Sequence, residues 1–207
     1  MTSSRLTGVL LLISLVAMIA GAAIVVPLGL TLNPADPAAA LAAVGEQTGP
    51  HLIELALDVL GWLALTSAGL LMFARFALAG GLLAVAGTAG LLHDAGNLAM
   101  TQLAADPTAP GVATVAAAVL LTAKWMVNLA GLLWVAATVA TALGVPMPAG
   151  LRVAGVVAAI SGAVAAALPW TTGTDGPTAV LEQLGYALHL PIMLWYGVLA
   201  WRYLHSR

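Results

Sequence analysis

The sequence predicts an all-α, polytopic membrane bundle of six transmembrane helices, and three observations carry that expectation. Apolar residues make up 62% of the 207 positions and charged residues only 7%, with a mean hydropathy of +1.06. The apolar residues gather in runs of about 20, long enough to cross a ~30 Å hydrocarbon layer as helix. Short Pro-, Gly- and Asp-rich breaks separate the runs, "TLNPADPAAA", "AADPTAP", "GVPMPAG" and "TTGTDGP" among them, and such clusters stop one helix and start the next.

Taken in order, the spans fall at roughly 6 to 30, 51 to 73, 76 to 100, 112 to 142, 151 to 169 and 180 to 203. The first resembles a secretory signal, with Arg5 ahead of an apolar run, but it continues through "AAIVVPLGL" and reads as a retained span. Residues 33 to 50 are long enough to form a small cap between spans one and two. Span four is about 30 residues, so its N-terminal turns are expected to project from the membrane, or the helix to tilt. No linker or clean internal repeat interrupts the chain, which reads as one domain over residues 1–207.

Five of the six cations, Arg5, Arg75, Arg152, Arg202 and Arg207, precede or follow spans on one side; the opposite loops carry none. The positive-inside rule makes that side cytoplasmic, giving a bacterial inner-membrane protein with both termini inside. Trp170 at one end and Trp201 with Tyr203 at the other fit interfacial anchoring. Small residues recur every four positions at Ala154, Ala158, Gly162 and Ala166, and at Gly80, Ala84 and Thr88, so close helix contacts are expected there.

Composition also excludes several classes. A net charge of −2 with dispersed charges gives no basic patch for nucleic acid. With no cysteine there is no disulfide, thiolate ligand or cysteine nucleophile, so any metal must be held by His, Asp or Glu. The expected partners are the lipid bilayer and, beyond it, a second copy of the chain or a larger membrane complex.

Ionisable side chains near the bilayer centre cost about 2.5 to 3.5 kcal/mol on insertion scales, so they face the bundle interior and pair with something. Span two carries His51, Glu54 and Asp58 on one helical face, and span six repeats those offsets with Glu182, Tyr186 and His189. Span three has His93 and Asn97 four apart, with Asp94 turned about 100° from His93; span four has Lys124 and Asn128 four apart. At ~1.5 Å of rise per residue, Asp58, His93 and His189 each lie about 10 Å below the outer boundary, and Lys124 reaches the same level. Four helices therefore bring polar groups to one layer in the outer half.

Three readings of that layer stand beside one another. In one, Lys124 pairs with Asp58 or Asp94 and the network only fixes helix register, as in a structural subunit of a larger complex. In the second, Glu54, Asp58, His93, Asp94, Asn97, Lys124, Asn128, Glu182, Tyr186 and His189 line an outward cavity that binds or passes a small ligand, ion or proton. In the third, His93, His189 and Asp58 hold a zinc-like ion for a membrane-embedded hydrolase, although no HExxH pattern is present. Ordinary explanations accompany individual residues: Glu54 and Glu182 complement helix N-termini, His51 is interfacial, Trp125 packs, and Pro191 loosens the last helix.

"RLTGVLLLISLVAMIAG", "HLIELALDVLGWLALTSAGLLMFAR", "LRVAGVVAAISGAV" and "LPIMLWYGVLAWRYL" resemble, in order, the six-span bacterial membrane proteins of the domain-of-unknown-function 4386 family. The resemblance rests on hydrophobic pattern and a few polar marks such as Glu54; "HDAGNLA" and "AKWMVNLAG" depart from it. It implies a six-helix bundle and assigns no chemistry.

Overall fold

The computed structural model describes residues 3–175 and 178–205. Its helices are α1 (Ser3–Leu28), α2 (Pro37–Glu46), α3 (Thr48–Phe73), α4 (Ala77–Leu103), α5 (Val112–Gly144), α6 (Ala149–Ala167) and α7 (Ala179–His205). A 3-10 segment, Leu168–Asp175, follows α6, and among the described residues there is no strand. All but α2 are long and apolar enough to cross a membrane. The six expected spans are therefore present, each within a few residues of its predicted limits.

Successive long helices are neighbours, and α7 returns to pack on α1, so the six close into a ring α1–α3–α4–α5–α6–α7. The two ends of the ring differ. One, here the terminal face, holds the start of α1 and the end of α7; Arg5, Arg75, Arg152 and Arg202 are exposed there, while Arg207 lies outside the described residues. The other, the cap face, carries α2.

The cap forms for local reasons. Asp36 accepts a hydrogen bond from Ala39 N at 3.0 Å, and Pro37 occupies the first turn, where a missing N–H costs nothing. Ala40, Leu41 and Val44 of α2 then bury against Met100 of α4, Ala104 just beyond its end, and Val112, Ala116 and Leu120 of α5. The extra N-terminal turns of the 33-residue α5 thus project beyond the ring and support the cap.

Close packing is concentrated where side chains are absent. A Cβ on Gly69 would meet Ala84 N and lie 2.8 Å from Gly80 O; one on Gly80 would meet Phe73 N and lie 2.6 Å from Gly69 O. Backbone therefore lies against backbone between α3 and α4, as small interfacial residues permit. Two expected stripes shift in register. Thr88 is exposed, and the α4 stripe continues through Gly87 and Gly90 against Thr66 and Trp62. Ala154 is exposed as well, and Gly155 replaces it: a Cβ there would lie 2.7 Å from the Trp195 indole, and one on Gly162 would run into Ile192. A period of four drifts around a helix of 3.6 residues per turn, which explains why the first member of each stripe does not predict the last.

Adding a methyl at such a contact requires backbone movement. Gly69→Ala and Gly80→Ala are expected to destabilise the bundle by about 1 to 3 kcal/mol each, read as a fall in thermal unfolding temperature in lipid nanodiscs. Gly49→Ala, with nothing within 4 Å of the added Cβ, is expected to leave it unchanged.

Candidate functional site

The polar side chains of four helices converge inside the cap-face half of the ring. A cavity of about 420 Å³ is lined by nine of the ten residues expected to bind ligand: Glu54, Asp58, His93, Asn97, Lys124, Asn128, Glu182, Tyr186 and His189. The tenth, Asp94, does not line it. Asp94 lies on the same stripe of α4 as Gly87 and Gly90 and faces α3, about 100° round from His93, which faces α5. It is buried at 2% exposure, and neither carboxyl oxygen has a hydrogen-bond partner among the described residues.

On the α3 wall, His51, Glu54 and Asp58 share one face, as their spacing requires. His51 is not interfacial: at 2% exposure it is inside the bundle and lines the cavity. Its Nε2 lies 3.3 Å from the Asn97 carbonyl and its Nδ1 3.3 Å from Glu54 Oε2, the latter out of hydrogen-bond alignment. The Asp58 carboxyl reaches across to α1, where a Cβ on Gly21 would lie 2.9 Å from Oδ1. Glycine at position 21 leaves the room that this carboxyl occupies.

On the α4 and α5 walls the groups are tied down. His93 Nδ1 donates to Ala123 O at 2.8 Å, which leaves Nε2 to accept from Asn97 Nδ2 at 3.0 Å, so both ring nitrogens are engaged in the neutral tautomer. Asn128 donates to Ala166 O at 2.8 Å and accepts from Trp170 Nε1 at 2.9 Å. Trp170 in turn stands edge-on to Trp125, with ring centroids 5.3 Å apart. Trp170 was expected only as an anchor in the interface; its indole nitrogen also fixes Asn128.

Lys124 pairs with neither Asp58 nor Asp94. Its Nζ donates to Glu182 Oε2 at 2.8 Å, with side-chain exposures of 8% and 10%. The reason lies in side-chain direction: the Asp58 carboxyl turns toward Gly21 of α1, and Asp94 faces α3 rather than α5. Glu182 Oε1 and His189 Nε2 are buried and take no hydrogen bond among the described residues. The His189 ring packs on Gly131, seven residues along from Lys124, where a Cβ would lie 2.9 Å from Nε2.

The expected metal set of His93, His189 and Asp58 does not assemble. Among the described residues no three His, Asp or Glu side chains are placed to hold a metal ion. His93 already uses both nitrogens within the protein, and Asp58 turns toward α1.

Apolar residues that the polar pattern did not single out complete the site. Met18, Ile19, Ala22 and Val25 of α1 line it, and Trp62 and Trp134 bound it toward the terminal face. Those two indoles meet edge-on at 5.8 Å, and Trp134 lies 6.1 Å from Tyr196, so three helices contribute to an aromatic layer. Below that layer the interior is close-packed, with Leu11, Leu65, Leu83 and Ala137 almost fully buried beside Thr138 and Thr141, whose hydroxyls bond their own helix. The sequence signal that could have found Trp62 is Gly90, whose missing side chain is the space that the indole fills.

Comparison with protein-family models, curated proteins and solved structures gives no match for this chain. Six long apolar helices mark a multi-pass membrane protein.

Removing one member of a buried ion pair leaves the other uncompensated. Lys124→Met or Glu182→Leu alone is expected to cost about 3 to 5 kcal/mol, and the double variant to regain most of that loss. Thermal unfolding of the three variants in nanodiscs checks the sign and the recovery.

Proposed function

We propose that this chain binds a small ligand carrying a cationic or hydrogen-bond-donating group within the cap-face half of a bacterial inner membrane. The exposed arginines at the terminal face and the absence of Lys and Arg from the cap-face loops support a cytoplasmic side for both termini. The cavity then opens from the outer leaflet side. The reading is carried by one observation: three acids, Glu54, Asp58 and Glu182, line the cavity with a single lysine, Lys124. Glu54, Asp58, Glu182 Oε1 and His189 Nε2 offer lone pairs, whereas Lys124 is already committed to Glu182.

A donor or cation would complement that wall, and about 420 Å³ lies within the range of small-molecule sites. Binding is favoured over passage because the aromatic layer of Trp62, Trp134 and Tyr196 and the packed core beneath it lie across the way to the terminal face. The structural-subunit reading keeps one point in its favour, the closed Lys124–Glu182 pair, but that reading has no use for a cavity. The likeness to the domain-of-unknown-function 4386 proteins is kept as a proposal about architecture and adds nothing to the chemistry.

The test compares ligands of one size and different charge. Butylamine is expected to raise the unfolding temperature of the nanodisc-embedded protein, and butyrate and butanol to do so less. Asp58→Asn is expected to weaken the butylamine effect by roughly thirtyfold in apparent affinity, the equivalent of ~2 kcal/mol for one charged partner. Equal or stronger stabilisation by butyrate would reverse the assignment of charge.

A further inference from the structure

One seam of the ring is closely packed in the terminal half and borders the cavity beyond it. It is the seam between the first and last helices, α1 and α7, which run antiparallel. In the terminal half, Gly8 lies against Ala200, Tyr203 and Leu204, and Leu15 lies against Gly197. The same stripe of α1 then continues through Ile19, Ala22 and Val26, at helical spacing from Leu15. The facing stripe of α7 continues from Gly197 through Met193, Leu190 and Tyr186.

Past the Leu15–Gly197 contact the two stripes become cavity wall. Ile19, Ala22, Tyr186, Leu190 and Met193 all line the cavity, yet Ile19 is 42% exposed, Leu190 40% and Tyr186 44%, with Val26 at 45% beside them. Val26 and Tyr186 each lie eleven residues beyond the Leu15–Gly197 contact, about 16 Å along their helices, so the two exposed edges match in depth. On these two facing stripes the side chains are thus left uncovered by protein where the cavity lies between them.

The chain supplies a reason for α7 to stand off from α1 in this half. Its opposite flank is fastened to α6, by Ser161 Oγ donating to Leu188 O at 2.7 Å and by Ile192 over Gly162. Pro191 removes the N–H that would bond the Ala187 carbonyl, which weakens the helix where contact with α1 ceases. On the other edge of the opening, the Asp58 carboxyl reaches α1 at Gly21, at the level of Ile19 and Ala22.

We propose that the α1/α7 seam is a lateral slot through which a single-tailed amphiphile enters from the bilayer, its amine or other donor head reaching Asp58 and Glu54 while its tail stays between Ile19 and Leu190. This rests on the cavity reading above and adds the class of ligand and the route. A lipid-borne molecule of this form fits an opening with apolar edges and an acidic interior. A water-borne ion has no need of such edges.

The test uses dodecylamine bearing a diazirine at the tail end, photolysed with the full-length protein in nanodiscs and mapped by mass spectrometry. Crosslinks are expected at Ile19, Val26, Leu190 and their immediate neighbours, falling at least fivefold in Asp58→Asn and in Ile19→Trp, which fills the slot. Leu190→Trp, on the other edge, repeats the test in a second background should Ile19→Trp lower the folded yield. Crosslinks that depend on Asp58 but fall on another seam or on the cap, or that ignore both tryptophan variants, would overturn the slot and leave the cavity reading standing. Labelling spread evenly over lipid-facing residues and indifferent to Asp58→Asn would overturn both.

Discussion

The ion pair between Lys124 and Glu182 spans two helices that are not sequential neighbours in the ring, and the cap-face half of the bundle is organised around it. α6 lies between α5 and α7, and direct packing between those two is slight. Yet Lys124 and Glu182 meet at 2.8 Å with almost no exposure. An unpaired charge at this depth would cost several kcal/mol, so the pair sets the separation of the two helices within narrow limits. Asn128, one turn along α5, uses its whole amide on the end of α6 and on Trp170. These contacts draw the upper parts of α5, α6 and α7 into one polar knot and hold one wall of the cavity at a fixed distance from α3.

The terminal half is built on a different principle. There the close contacts are of backbone on backbone, at Gly69 and Gly80, or of large side chain on missing side chain, at Gly155 with Trp195 and Gly90 with Trp62. Such contacts gain dispersion energy from many atoms at short range and need no polar partner. They also leave no room. The cavity therefore ends where the glycine and aromatic packing begins, and Trp62 and Trp134 serve both as the top of the packed half and as the floor of the open one. A bundle packed throughout on the second principle would be tighter; the polar half gives up that packing, as functional regions commonly do.

How much of this could be read beforehand differs by kind of feature. The six spans and the cap were legible because apolar run length and Pro or Gly punctuation are local properties, and α2 needs only Asp36 and Pro37 to start it. The gathering of polar groups toward one end was legible because rise per residue is nearly constant, but the common level was not: Lys124 meets Glu182 while His189 meets Gly131, seven residues and about 10 Å further along. The partner of Lys124 was not legible either, since it depends on which way each side chain turns in the closed ring: 58 residues of chain separate it from Glu182, while Asp58 turns to α1 and Asp94 to α3. Asp94 was misplaced because one residue's rotation decides whether a side chain enters a cavity or a helix seam. The floor of the site was invisible to a search for polar residues. Met18, Trp62 and Trp134 have the look of ordinary core, and only the empty positions opposite them, Gly61 and Gly90, carry a trace of their placement.

The acids on α3 and the open seam beside α1 bear on one another through the cost of losing water. Glu54 is 5% exposed, and Asp58 lies against Gly21 in the wall between α1 and α3. His51 lies 3.3 Å from Glu54, while Lys124 is paired with Glu182. A charged head arriving from water must give up its full hydration to reach such a wall, and the gain at two carboxylates is offset by that loss. An amine at the end of an apolar chain already sits at the membrane interface, partly dehydrated, and need move only sideways along the edges formed by Ile19 and Leu190. Its tail keeps its lipid contacts throughout. On the proposed reading, the acid cluster is therefore a better receptor for a molecule whose hydrocarbon part stays in the bilayer than for a freely hydrated ion.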